Sequence, residues 1–115
     1  MAAKKTKPLR GKALLRAAIN QIIQNPKTWN QRSYHCGTKH CVAGWCQILG
    51  GRTKKEIEAT EQAHNGIDCA EDAASLLGMN GTDLYYQLFE SDLSLADIYR
   101  NACEILGQKP KFQPL

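Results

Sequence analysis

Apolar side chains recur every three or four positions through most of this chain, in runs that each end at a helix-breaking signal. An α-helix turns once in about 3.6 residues, so such spacing collects the apolar groups on one stripe that must be buried against a neighbour. The clearest run spans 11–24. Leu14, Leu15, Ala18, Ile19, Ile22 and Ile23 share one side, and Lys12, Arg16 and Asn20 the other. Asn25-Pro26 stops it, because the residue before proline avoids the α region.

The same reading predicts further helices. One spans 39–49, capped by Thr38 and ended by Gly50-Gly51, with Cys41, Gly44, Trp45 and Ile48 on one face and Val42 and Leu49 broadening it. Three more, 54–64, 69–77 and 95–106, follow Thr53-x-x-Glu56, Asp68-x-x-Glu71 and Ser94-x-x-Asp97. Only the first of these matches the strict capping box, while the acids of the other two favour the positive end of the helix dipole. Gly78 and Gly107 stand where C-terminal glycines belong. Thr82 is the expected cap of a short helix, 83–89, that buries Leu84, Tyr85, Leu88 and Phe89. Residues 27–37 read as an irregular connection, from which Trp29 and Tyr34 fold back onto the core. No segment alternates with period two, so no strand is expected. The expectation is all-α: a compact single-domain bundle of about five helices with a short extra helix. Residues 1–8 form a disordered basic tail, 9–108 the domain and 109–115 a proline-broken C-terminal tail.

Charge is divided along the chain. Residues 1–55 carry twelve Lys/Arg and no Asp/Glu, and residues 56–115 carry three and eleven, so the parts hold +12 and −8 and sum to +4. Two accounts compete. Oppositely charged halves can attract one another when they pack, or the basic part can face an acidic partner. The basic start is followed by neither an uninterrupted apolar stretch nor a small-residue cleavage site, and no apolar run reaches membrane-spanning length. Five cysteines, an odd count, then read as free thiols in a reducing, cytoplasmic setting, with no membrane role.

The segment His35-Cys36-Gly37-Thr38-Lys39-His40-Cys41 concentrates the reactive side chains. A turn capped by Thr38, with Cys41 and Trp45 plugged into the core, explains it structurally. A thiol site is the second reading: at the third position of a helix starting after Thr38, beside Lys39 and His40, Cys41 would tend to ionise. A metal site is the third, with His35, Cys36, His40 and Cys41 as ligands and His64 or Cys46 as additions, although Cys36-x4-Cys41 is wider than ordinary zinc pairs. A redox disulfide between Cys36 and Cys41 is the fourth. The run is also similar to the nucleophile turn of papain-like proteases, but its spacing departs from theirs.

The run Cys36-Gly37-Thr38-Lys39-His40-Cys41-Val42-Ala43-Gly44-Trp45, followed by Ala73-Ala74-Ser75-Leu76-Leu77-Gly78, by Leu88-Phe89 and by a final helix, resembles the CGTxxCxAGW segment and its sequel in small uncharacterised proteins of bacteria and their phages. The resemblance covers about residues 28–106. It implies a shared fold and carries over no catalytic residue.

For function, the helix–Gly50-Gly51–helix rhythm suggests a helix-turn-helix, but Glu56, Glu58 and Glu61 on the second helix would repel phosphates. No glycine-rich phosphate loop is present, and no cofactor is implied. The expectation is a non-enzymatic binding or regulatory protein that engages a protein or nucleic acid through Lys4, Lys5, Lys7, Arg10, Lys12 and Arg16. The alternative is a metal or thiol site at residues 35–41.

Overall fold

Six α-helices form among the described residues of the computed structural model, which are 8–32, 35–36, 39–61 and 68–107, with 35–36 described as backbone only. Both predicted tails, apart from Pro8, lie outside them, as do Tyr34, Gly37, Thr38 and His64.

Helix α1 (Gly11–Gln24) has the predicted span and buries Leu14, Leu15, Ala18, Ile19 and Ile22. Pro26 opens a single 3-10 turn, Pro26–Thr28, from which Trp29 packs against the core as expected. A two-residue ladder follows. Strand β1 (His35–Cys36) pairs antiparallel with β2 (Lys39–His40), His35 opposite His40 and Cys36 opposite Lys39. The ladder is tied back to the core segment by a bridge from His40 to Trp29 and by Asn30 N–H donating to His40 O at 3.2 Å.

The ladder corrects two expectations. A short strand pair exists where none was predicted, and it holds Lys39 and His40 extended, so the next helix starts three residues late. Helix α2 is Val42–Leu49, and its N-cap residue is Cys41, not Thr38. The later start also turns its buried face. Val42, Ala43, Cys46 and Gln47 are inside, while Trp45 and Ile48 are only half-buried. Trp45 packs its ring on the core and donates Nε1–H to Thr28 O at 3.0 Å, the usual compromise for an indole.

Helix α2 lies against both α1 and α4 (Cys69–Leu77), whose span is as predicted. Gly50 sits at that junction. A Cβ there would stand 2.7 Å from Cys46 O and 3.1 Å from Leu76 Cδ1, so the close approach requires glycine. Helix α3 (Lys54–Glu61) buries no residue and rests on α4. Helix α6 (Leu95–Leu106), again as predicted, packs Ile98, Tyr99, Ala102 and Cys103 inward, against α1 and the turn described next. Gly78 and Gly107 close α4 and α6 in the left-handed conformation, at φ +66° and +70°.

The short helix differs from expectation. Helix α5 (Gly81–Leu84) is capped by Asn80, whose Oδ1 accepts from Asp83 N–H at 3.1 Å, and not by Thr82. It passes directly into a π-helical turn, Tyr85–Phe89, closed by Glu90 N–H donating to Tyr85 O at 2.8 Å. The wider turn keeps Leu84, Leu88 and Phe89 buried but leaves Tyr85 41% exposed, correcting its predicted burial. Polar side chains satisfy the carbonyls at its end. Gln31 Nε2 donates to Leu88 O (2.8 Å) and Glu90 O (2.9 Å), and Asn101 Nδ2 to Gln87 O (2.9 Å). Gln31 Oε1 in turn accepts from Trp29 Nε1–H at 3.1 Å.

The capping boxes are better formed than the residue types suggest. Ser94 and Asp97 exchange both bonds, as Thr53 and Glu56 do, whereas Asp68 only accepts from Glu71 N–H. Those bonds hold the carboxyls of Glu56 and Asp97 below the usual carboxylate range.

Candidate functional site

Cys41 marks the passage from ladder to helix, and its surroundings decide its chemistry. The thiol is free, with 1% of the residue exposed. Burial raises it to about 11, although the amides of Gly44 and Ala43 in the first turn of α2 pull the other way. No cap hydrogen bond to the sulfur forms. Desolvation therefore outweighs the helix dipole, and at neutral pH Cys41 is a protonated core side chain. Its burial and raised pKa favour the structural reading over a thiolate nucleophile.

His40 lies edge-on to Trp45, with ring centroids 5.0 Å apart and planes at 79°. His35 and Cys36 pair through their backbones with His40 and Lys39. Among the described residues no three His, Cys, Asp or Glu side chains gather as metal ligands.

Of the six expected partner-binding cations, Lys4, Lys5 and Lys7 lie outside the described residues. Arg10 has a structural task, donating from Nη1 to Gly50 O at 2.6 Å and Leu9 O at 2.7 Å. Lys12 and Arg16 are exposed on α1. The fold adds three cations that sequence spacing does not connect. The Trp29–His40 bridge brings together the segments carrying Lys27, Arg32 and Lys39, all of them exposed.

Two polar features carry no obvious sequence signal. The first is buried. Gln47, with no exposed surface, donates from Nε2 to Thr60 Oγ1 (2.9 Å) and Asp72 Oδ2 (3.1 Å). Arg52 grips the same carboxylate in bidentate fashion, Nε to Oδ2 at 3.1 Å and Nη2 to Oδ1 at 2.8 Å. Thr60 gives its single proton to Ile57 O at 2.7 Å, so in its 3.2 Å contact with Cys69 the thiol is the donor. This network joins α2, α3 and α4. The second feature is an open cleft of about 500 Å³ at the starts of α4 and α5, beside the π-helical turn. Tyr85 and Tyr86, the latter 63% exposed, stand on it with Asp68 and Glu71.

Comparison with protein-family models, curated proteins and solved structures finds no match. No helix of the described residues is long and apolar enough to cross a membrane.

Proposed function

We propose that this chain is a small, non-enzymatic helical binding protein whose basic first half engages a polyanionic partner, nucleic acid or acidic protein. One observation carries the reading. Of the nine described cations in residues 1–55, only Arg52 has a carboxylate within ion-pair distance, to Asp72 and Glu56. The third ion pair among the described residues, Arg100–Asp97, lies within α6. Among the described residues, packing the halves together therefore leaves most of this positive charge unpaired, which weighs against the intramolecular account. Lys12 and Arg16 on α1, and Lys27, Arg32 and Lys39 around the ladder, are exposed cations with no acid beside them.

Contact would be to backbone charge and not to base edges. Helix α3 presents Glu56, Glu58 and Glu61 to solvent and rests on α4, so it is no recognition helix. The core position and raised pKa of Cys41 weigh against thiol chemistry as the main activity.

Fluorescence anisotropy with a labelled DNA oligonucleotide, titrated across ionic strength, tests this. Neutralising about five phosphates gives a log–log salt slope of about −4 to −5 on duplex DNA. The double reversal Lys12→Glu with Arg16→Glu should shrink that slope by about 2. An acidic peptide run in parallel separates a protein partner from nucleic acid. If neither probe binds at low ionic strength, or the reversal leaves the slope alone, the proposal fails.

A further inference from the structure

Two of the three exposed large apolar side chains among the described residues, Tyr85 and Tyr86, open onto the same cleft. Their rings meet edge to face, with centroids 5.5 Å apart and planes at 85°, so the pair leaves a ring face free for a ligand. An exposed aromatic face attracts a cation placed within about 6 Å of its centre.

The charge of the cleft has the matching sign. Asp68 and Glu71 line it, and among the described residues no Lys, Arg or His does. The start of α4 contributes a positive dipole end worth about half a charge, which two carboxylates outweigh. Asp68 commits Oδ1 to Glu71 N–H at 2.8 Å and keeps Oδ2 available. The Glu71 carboxylate is exposed and has no ion pair. Asn80 and Thr82 add polar groups along the rim. The π-helical turn that presents the tyrosines is held by Gln31 and Asn101, so the aromatic wall is built into the fold.

We propose that this cleft is a docking site for an arginine side chain carried by a partner protein. Arginine fits better than lysine, because a planar guanidinium stacks on a tyrosine face while its N–H fork pairs with a carboxylate. The site uses the acidic part of the sequence and is independent of the basic surface proposed above.

The test is a titration of the full-length, ¹⁵N-labelled chain, at low ionic strength, with a short arginine peptide and with its citrulline counterpart, which keeps the shape and loses the charge. Saturable amide shifts at residues 68–71 and 80–86 are expected with arginine and not with citrulline. Tyr86→Ala, and separately Glu71→Gln, should each weaken binding roughly fivefold. Both side chains are exposed, so the unfolding temperature should hold and loss of fold is separable. Equal shifts with citrulline, or indifference to both substitutions, would overturn the proposal. If the same amides shift with protein concentration alone, a second copy of the chain is the ligand and the assignment to a partner protein falls.

Discussion

Cys46 is wholly enclosed and Cys41 nearly so, and burial raises both thiols above their ordinary value, Cys41 from 9.0 to about 11. An acid raised in the folded state binds its proton more tightly there than in the unfolded chain. Its contribution to stability is therefore complete below the unfolded value and is lost as pH rises through the folded one. The unfolding temperature should consequently fall between about pH 9 and pH 11, with Cys41 alone accounting for up to about 3 kcal/mol. Thermal unfolding across that range, repeated on Cys46→Ala, checks the sign: the variant should show the shallower fall. A profile unchanged by the substitution would mean that the thiol is not a source of the effect. A place near a helix start and burial in the core were both among the sequence readings of Cys41, but choosing between core thiol and exposed thiolate depends on α1 and α4 closing over α2. The burial of Gln47 was not legible either. Its partners Thr60 and Asp72 lie 13 and 25 residues away, and nothing local points to them.

Helices α1, α4 and α6 were legible residue by residue because two signals agree in each, an apolar stripe and a stop at Asn25-Pro26, Gly78 or Gly107. Strand pairing at 35–40 was not, since two residues are too few to display a period. The π-helical turn was also hidden, because its stability comes from elsewhere. Gln31, a buried amide 57 residues before Leu88, supplies both donors to its final carbonyls and an acceptor to Trp29. Gln31→Ala should thus take the side-chain partner from Leu88 O and Trp29 Nε1–H, while Glu90 O keeps Leu93 N–H at 3.2 Å, and cost about 2–4 kcal/mol, where an ordinary surface substitution costs a few tenths. Urea unfolding measures the loss. Hydrogen exchange localises it, with faster exchange expected at 85–90 and little change in α4. A cost near zero would mean that water replaces the amide and that the turn is held by Leu88 and Phe89 alone.

Across the whole molecule, charge and stability are largely uncoupled. The core is apolar, formed where α1, α2, α4 and α6 meet. Among the described residues the ion pairs between the basic and acidic parts are all made by Arg52, which grips the largely buried Asp72 and sits farther from the exposed Glu56. Salt shortens the reach of exposed charges from about 10 Å at 0.1 M to about 3 Å at 1 M, and screens partly buried pairs much less. If attraction between the two halves held the fold together, added salt would loosen it. If the surplus positive charge is directed outward, the same salt should barely move the unfolding temperature, by about 2 °C or less, while abolishing binding to a polyanion. Paired melting and anisotropy curves over one salt series distinguish these cases. A steep fall in melting temperature would return the charge asymmetry to the interior of the protein and remove the main support for an acidic partner. A flat melting curve beside a steep binding curve would assign the charge to recognition, since a folding role would require both to respond.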